Sequence, residues 1–295
     1  MNVSAILQYI LSGITIGSIY AMVALGFNII YSATDIINFA QGEFVMLGGM
    51  IMVSLVTGLK LPLWFAFPVA VLAVTLIGAI FERLCIHPLK KPTVLTLIII
   101  TIAGSILMKG GAMFAWGKEI LSLPHFSSEK PILFFGATIL PQVLWILGII
   151  TVAVALLALF FRITITGKAM RACAANRRAA SLVGINVKRI VLFSFALSAM
   201  LGAIAGIIIT PIALMSYDRG AMLALKGFGA AVLGGLGNPV GAVAAGFLIG
   251  VLESLGAGLI SSHYKDAIAL IVLLAVLFIK PSGLFGSGEA RLKKF

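Results

Sequence analysis

Apolar residues in this chain fall in long unbroken runs separated by short polar segments, without the alternation of a half-buried strand. A helix needs about 20 mainly apolar residues to cross a bilayer. Six stretches reach that alone: residues 6–32, 36–57, 61–81, 94–116, 139–161 and 190–210. A seventh region, 223–260, is apolar but rich in glycine. Gly227, Gly229, Gly234, Gly235, Gly237 and Gly241, with Pro239 after Asn238, are expected to cut it into pieces shorter than a span. Non-helical backbone at membrane depth survives only where protein buries it or it lines a wet cavity. The region therefore reads as a broken or re-entrant hairpin suited to a transport path, with tight packing through small residues as the alternative. A last run, 267–279, is short unless neighbouring residues sit at the interface. The predicted class is all-α, a single polytopic helical membrane domain over residues 1–295 with about eight or nine membrane segments.

Composition excludes most other classes. The chain is 61% hydrophobic and 10% charged, with mean hydropathy +1.19, where a soluble domain is roughly 45–50% apolar and about 25% charged. Uninterrupted apolar runs also exclude an outer-membrane barrel. The first residues, MNVSAILQYI, have no basic stretch and read as a retained first helix.

Lys and Arg number 21 against 9 acids, a formal +12. In a membrane chain that excess reads as orientation, not as nucleic-acid binding. Residues 82–93 carry Arg83, Lys90 and Lys91 against Glu82. Residues 162–189 hold Arg162, Lys168, Arg171, Arg177, Arg178, Lys188 and Arg189 with no acid, and the tail adds Lys280, Arg291, Lys293 and Lys294 against Glu289. These segments are expected in the cytoplasm. The 117–138 loop balances Lys118 and Lys130 against Glu119 and Glu129 and is expected outside. The parity places the N-terminus outside and the C-terminus in the cytoplasm. Cys85 and Cys173 both fall in the basic loops, so no disulfide is expected.

Polar groups inside a membrane are costly and need a reason. The densest set is Asp35, Asn38, Gln41 and Glu43, within TDIINFAQGEFVMLGG. At about 100° per residue, Asp35, Asn38, Gly42 and Gly49 share one helix face, with Gln41 at its margin. Such a face suits the wall of a substrate path; a capping Asp35, an interfacial Asn38 and a structural hydrogen-bond network are the plainer readings. Lys109, beside Gly110 and Gly111, suits a snorkelling side chain or a local break. Lys226 opens the glycine-rich region and is a further candidate for the substrate path, where it could meet an anionic group, with Glu253 as a candidate counter-ion or an interfacial residue. Gly13–Gly17, Gly202–Gly206 and Gly246–Gly250 form G-x-x-x-G pairs that let helix backbones approach closely.

The 162–189 loop is longer than orientation alone requires. It is alanine-rich, with Gly184 as a helix stop, and its arginines suggest a docking surface for a soluble partner. Within it, Arg178-Ala179-Ala180-Ser181-Leu182-Val183-Gly184 resembles the E-A-A-x-x-x-G core of ABC-importer permeases, with arginine in place of the usual glutamate. Gly13-Ile-Thr-Ile-Gly17-Ser-Ile-Tyr20-Ala-Met-Val-Ala-Leu-Gly26 and Ile37-Asn38-Phe39-Ala40-Gln41-Gly42-Glu43-Phe44 resemble the branched-chain amino acid ABC permease family. Lys226-Gly-Phe-Gly-Ala-Ala-Val-Leu-Gly-Gly-Leu-Gly-Asn-Pro239 and Lys280-Pro-Ser-Gly-Leu-Phe-Gly286 are similar to the same family near the other end.

The resemblance implies a bacterial inner-membrane importer subunit. It would work beside a second homologous permease, two ATP-binding subunits and a periplasmic substrate-binding protein, with leucine, isoleucine and valine as the familiar substrates. Urea, short amides and small organic acids are the alternatives carried by relatives. The 162–189 segment would be the coupling loop, with Arg171, Arg177, Arg178, Ala179, Ala180 and Gly184 in contact with the ATPase. No G-x-x-x-x-G-K-[ST] occurs, so ATP and magnesium would belong to the partner subunits and this chain is expected to need no cofactor. An intramembrane enzyme is disfavoured because His87, His125 and His263 are scattered and acids are few. A channel or ion-driven carrier would suit the broken glycine region but does not require the long basic loop.

Overall fold

The computed structural model describes residues 3–89, 93–134 and 136–286. Lys90, Lys91, Glu289, Arg291, Lys293 and Lys294, which bear on orientation, lie outside the described residues. Among the described residues, eleven α-helices carry the fold: α1 (Val3–Thr34), α2 (Gln41–Val53), α3 (Leu63–Phe81), α4 (Val94–Trp116), α5 (Pro141–Ile163), α6 (Ile165–Ala175), α7 (Arg177–Leu182), α8 (Val187–Ala213), α9 (Arg219–Gly234), α10 (Pro239–Leu259) and α11 (Lys265–Ile279). Single π-helical turns, Ser54–Gly58 and Glu82–Ile86, extend α2 and α3. Seven of the described helices are long and apolar enough to cross a membrane. α9 has 16 residues and is about 24 Å long, short of a bilayer core of about 30 Å.

Burial sorts the helices into two layers. The apolar stretches of α1, α2 and α8 are 72%, 67% and 67% buried, whereas those of α3, α4 and α5 are 22%, 17% and 17% buried. α1 is the central post, packed by α10, α8 and α9, while α2 lies between α8 and α9. Large apolar side chains such as Trp64, Leu72, Ile106, Phe114 and Leu156 stay exposed on the outer helices, as lipid-facing or partner-facing surface requires.

The predicted G-x-x-x-G pairs interlock. A Cβ on Gly13 would lie 2.6 Å from Val251 Cα, and one on Gly17 would lie 2.8 Å from the Gly246 carbonyl oxygen. One on Gly246 would meet the backbone of Ala21, and one on Gly250 the backbone of Gly17. The glycine pairs of α1 and α10 therefore form one seam, and Gly202 and Gly206 seat α8 against Phe44 and Val45 of α2, with Gly206 against the Val45 backbone.

Two sequence expectations are corrected. The 36–57 span does not begin at Ile36: α1 ends where Asp35 adopts φ +57, residues 36–38 carry no regular structure, and α2 starts only at Gln41. In the glycine-rich region the helix runs unbroken through Gly227, Gly229 and Gly234. The break is confined to residues 235–238, where Gly235 (φ +99) and Gly237 (φ +89) adopt backbone that favours glycine. Asn238 then caps α10, its Oδ1 accepting from Gly241 N at 3.1 Å, with Pro239 in the first turn. The second piece is consequently a full 21-residue span, longer than expected. Inside α9, Gly227 instead admits Val23 of α1, where a Cβ would collide.

The ends of the molecule are tied face by face. A two-stranded hairpin, β1 (Ile132–Phe134) and β2 (Ala137–Ile139), follows α4. Gln8 on α1 clasps it, donating to Thr138 O at 3.0 Å and accepting from Thr138 N at 2.7 Å. On the opposite face Arg177 Nη1 donates to Thr34 O at 3.0 Å. The start of α1 thus shares a face with the balanced loop, and its end shares one with the basic loop.

Candidate functional site

The non-helical segment before α2 places that helix's N-terminus deep in the protein. Gln41 Nε2 donates to Ser198 O at 3.2 Å, and Ser198 Oγ lies 2.5 Å from Gln41 Oε1 and 2.8 Å from Gly26 O. Gly26 is about 12 Å above the end of α1 and Ser198 about 16 Å above the start of α8, at the rise of a helix. One glutamine so joins α1, α2 and α8 well inside the bundle. Asn38 is buried; its Oδ1 accepts from Ala40 N at 3.1 Å, while Nδ2 has no partner among the described residues. Asp35 stays exposed at the foot of α1.

Asp35 and Asn38 therefore do not share a helix face with Gly42 and Gly49, because the backbone between them is not helical. Gly42 packs against Gly220 and Ala224 of α9, and Gly49 against Thr210 and Met215. Glu43, in the first turn of α2, is 1% exposed. Its Oε1 accepts from Ser105 Oγ of α4 at 2.8 Å, while Oε2 has no partner among the described residues and faces Gly220. A helix N-terminus favours negative charge there. Lys109, one turn along α4 from Ser105, lies 5.6 Å from the Tyr217 ring centroid, and α4 runs through it without a break.

Lys226 belongs to a different constellation. Its Nζ lies 2.7 Å from Glu253 Oε1 and 5.4 Å from the Tyr20 ring centroid. Tyr20 OH donates to Glu253 Oε2 at 2.9 Å. These contacts tie α1, α9 and α10 together. Tyr20 carries no charge, so composition and charge pattern gave no signal for it.

The basic loop folds as two capped helices. Thr164 Oγ1 accepts from Gly167 N at 2.9 Å to start α6, and Asn176 Oδ1 accepts from Ala179 N at 3.0 Å to start α7. Gly184 ends the turn at φ +88. α6 buries Gly167, Met170 and Cys173; burial pushes the Cys173 thiol up, with Arg177 pulling the other way. Arg171, Arg178 and Ala179 are exposed, while Ala180 is buried. Arg177 is half-buried and points back at α1. Leu182 and Val183, not singled out by sequence reasoning, are 88% and 77% exposed at the tip of this turn, an apolar knob flanked by arginines.

A family model described as branched-chain amino acid transport system / permease component matches residues 9–277. The chain belongs to this family. It is a transport family, not an enzyme family. The LivH high-affinity branched-chain amino acid permease of Salmonella typhimurium is 32% identical over 96% of this chain and 96% of its own. The BraD permease of Pseudomonas aeruginosa, named for the same transport, is 30% identical over 96% of both chains. The ribose import permease RbsC of Haemophilus influenzae is 32% identical, over 88% of this chain and 81% of its own. The fold fits membership: a helical, multi-span membrane protein with a helix-turn-helix elaboration on its basic face.

Proposed function

We propose that this permease moves branched-chain amino acids across a bacterial inner membrane, with its N-terminus outside and its C-terminus in the cytoplasm. The single observation that carries the substrate is the match over 96% of both chains to permeases named for that transport. The ribose permease is the observation that favours a second reading, another small polar solute. In either reading the whole chain acts as one permease domain beside a second homologous permease, two ATP-binding subunits and a periplasmic binding protein. ATP and magnesium are held by the ATP-binding subunits. Co-purification of those subunits with the tagged chain, followed by ATP-driven uptake of leucine and of ribose in proteoliposomes, tests the assignment. Uptake without ATP would return the channel or carrier reading.

The structure supports a route for the coupling. α7 holds the end of α1 through Arg177 and Thr34, and α1 reaches the start of α2 through Gly26, Ser198 and Gln41. Movement of the basic loop is thereby delivered to the deep helix start that carries Glu43. Arg178 and the Leu182–Val183 knob meet the ATPase, while Arg177 transmits. Arg178→Glu is expected to reduce permease-stimulated ATP hydrolysis about tenfold, equivalent to roughly 1.4 kcal/mol, with unchanged membrane insertion. Unchanged stimulation would remove Arg178 from the docking surface.

Glu43 is the path residue in this reading, with Asn38 and Gln41 holding the helix start that presents it and Asp35 at the exit. Glu43→Gln keeps an acceptor for Ser105 and removes the ionisable carboxyl group. It is expected to lower uptake by about tenfold or more, the scale of one charge-assisted hydrogen bond from substrate to Oε2, which has no partner among the described residues, with near-normal thermal stability. Normal uptake would reduce Glu43 to packing.

A further inference from the structure

On the basic face, a cavity of about 410 Å3 opens between the end of α1, the π-helical turn after α3, and the first turns of α4 and α8. Its wall has charge of both signs. Glu82 is 1% exposed, lines the cavity, and its Oε2 has no hydrogen-bond partner among the described residues. A buried carboxyl oxygen without a protein partner that faces a cavity is suited to a cation or hydrogen-bond donor bound there. Arg177 and Lys188 line the same cavity. The bond from Arg177 to Thr34 uses one of the five N–H donors of its guanidinium, and Lys188 is exposed. Val94, Leu97 and Val191 add apolar wall.

We propose that this cavity binds a free α-amino acid zwitterion from the cytoplasmic side, its ammonium on Glu82, its carboxylate against Arg177 and Lys188, and its side chain over Val94, Leu97 and Val191. The choice of amino acid rests on the functional reading above. The site itself is separate from Glu43, and no substrate step needs it. The opposed signs select a zwitterion over a simple anion or cation, because either of those leaves one charged group unmatched. Asp35 and His87 complete the charged and titratable lining. Desolvation, then Arg83 and Lys188, hold the His87 imidazole below its ordinary range. Bound product would bridge α7, which carries Arg177, to the foot of α3, so that accumulation inside acts on the coupling loop.

The test is equilibrium dialysis of leucine against the full complex in phosphatidylglycerol nanodiscs, without ATP or binding protein. Saturable leucine binding is expected, with 4-methylpentanoate (no ammonium) and isopentylamine (no carboxylate) each at least about tenfold weaker. Glu82→Gln and Lys188→Gln are each expected to weaken leucine about tenfold; Lys188, being exposed, tests the site without risk to the core. No binding, equal binding of either analogue, or binding lost in Glu43→Gln but kept in both cavity variants would overturn the site. Phosphoethanolamine displacing leucine at lower concentration would also overturn it, in favour of a lipid headgroup. If proteoliposomes import ribose and not leucine while leucine binding still depends on Glu82, the functional reading fails and the site stands. If they import leucine while no binding depends on Glu82, the site fails and the functional reading stands.

Discussion

Gly250→Leu is expected to abolish recovery of folded permease. A Cβ at this position runs into the backbone N and Cα of Gly17 and the carbonyl of Gly13. None of these atoms is the flexible end of a side chain, so relief requires the helices to separate. Separation would open the whole α1–α10 seam, because Gly13, Gly17 and Gly246 are seated by the same approach. Overpacking a tight core costs about 1–3 kcal/mol for added methylenes, and a leucine facing backbone lies at or above the upper figure. Detergent-solubilised chain, followed by fluorescence-detected size exclusion, should show aggregate in place of a single peak. Gly148→Leu is the matched control: nothing lies within 4 Å of its added Cβ, and this variant is expected to elute as the parent. Equal behaviour of the two would mean that α1 and α10 do not meet through their glycines.

The seam shows what one sequence can and cannot reveal. The glycine spacing announced close helix approach, and the α1 and α10 pairs met each other, but spacing alone names no partner. The 94–116 span matches α4 at both ends because its apolar run is bounded by polar residues, and the helix continues through Lys109, Gly110 and Gly111 where a local break was an alternative. Hydropathy does not mark the start of α2, because Ile36, Ile37, Phe39 and Ala40 are as apolar as helical residues. Hydropathy measures burial and not backbone angle, and the one departure that ends α1, φ +57 at Asp35, falls on a residue type that tolerates it without requiring it. Glycines posed a similar ambiguity: Gly227 serves helix packing while Gly235 serves a turn, and composition assigns both one letter. The basic loop was more legible, since its alanine-rich stretches and the stop at Gly184 mark helices there, and the structure adds Thr164, Asn176 and Asn186 as their caps.

That contrast explains why the basic loop reads more clearly than the buried polar cluster. Capping is local chemistry, settled within a few residues. The buried polar cluster is made by groups distant in sequence: Gln41 with Ser198, and Glu43 with Ser105 and Gly220. Only three-dimensional proximity separates Glu43, with an oxygen unpartnered among the described residues, from Glu253, whose two oxygens are both engaged.

Lys226→Met is expected to destabilise the chain by about 3–5 kcal/mol, the scale for removing one partner of a buried ion pair. Glu253 is 3% exposed, so its charge would be left in the bundle against the Tyr20 hydroxyl. Glu253→Met is expected to cost a similar amount by stranding the lysine. The double variant should recover much of the loss, because two apolar side chains of similar length replace a pair whose desolvation offset much of its attraction. Melting of the detergent-solubilised chain, followed by tryptophan fluorescence, reads all three. Additive losses in the double variant would mean that the pair does not act as a unit. Uptake then decides the role of Lys226. Since Lys226, Glu253 and Tyr20 bind α1, α9 and α10 to one another, the double variant should transport near the parent rate once folded. A double variant that melts normally but transports nothing would return Lys226 to the substrate path, where the sequence placed it.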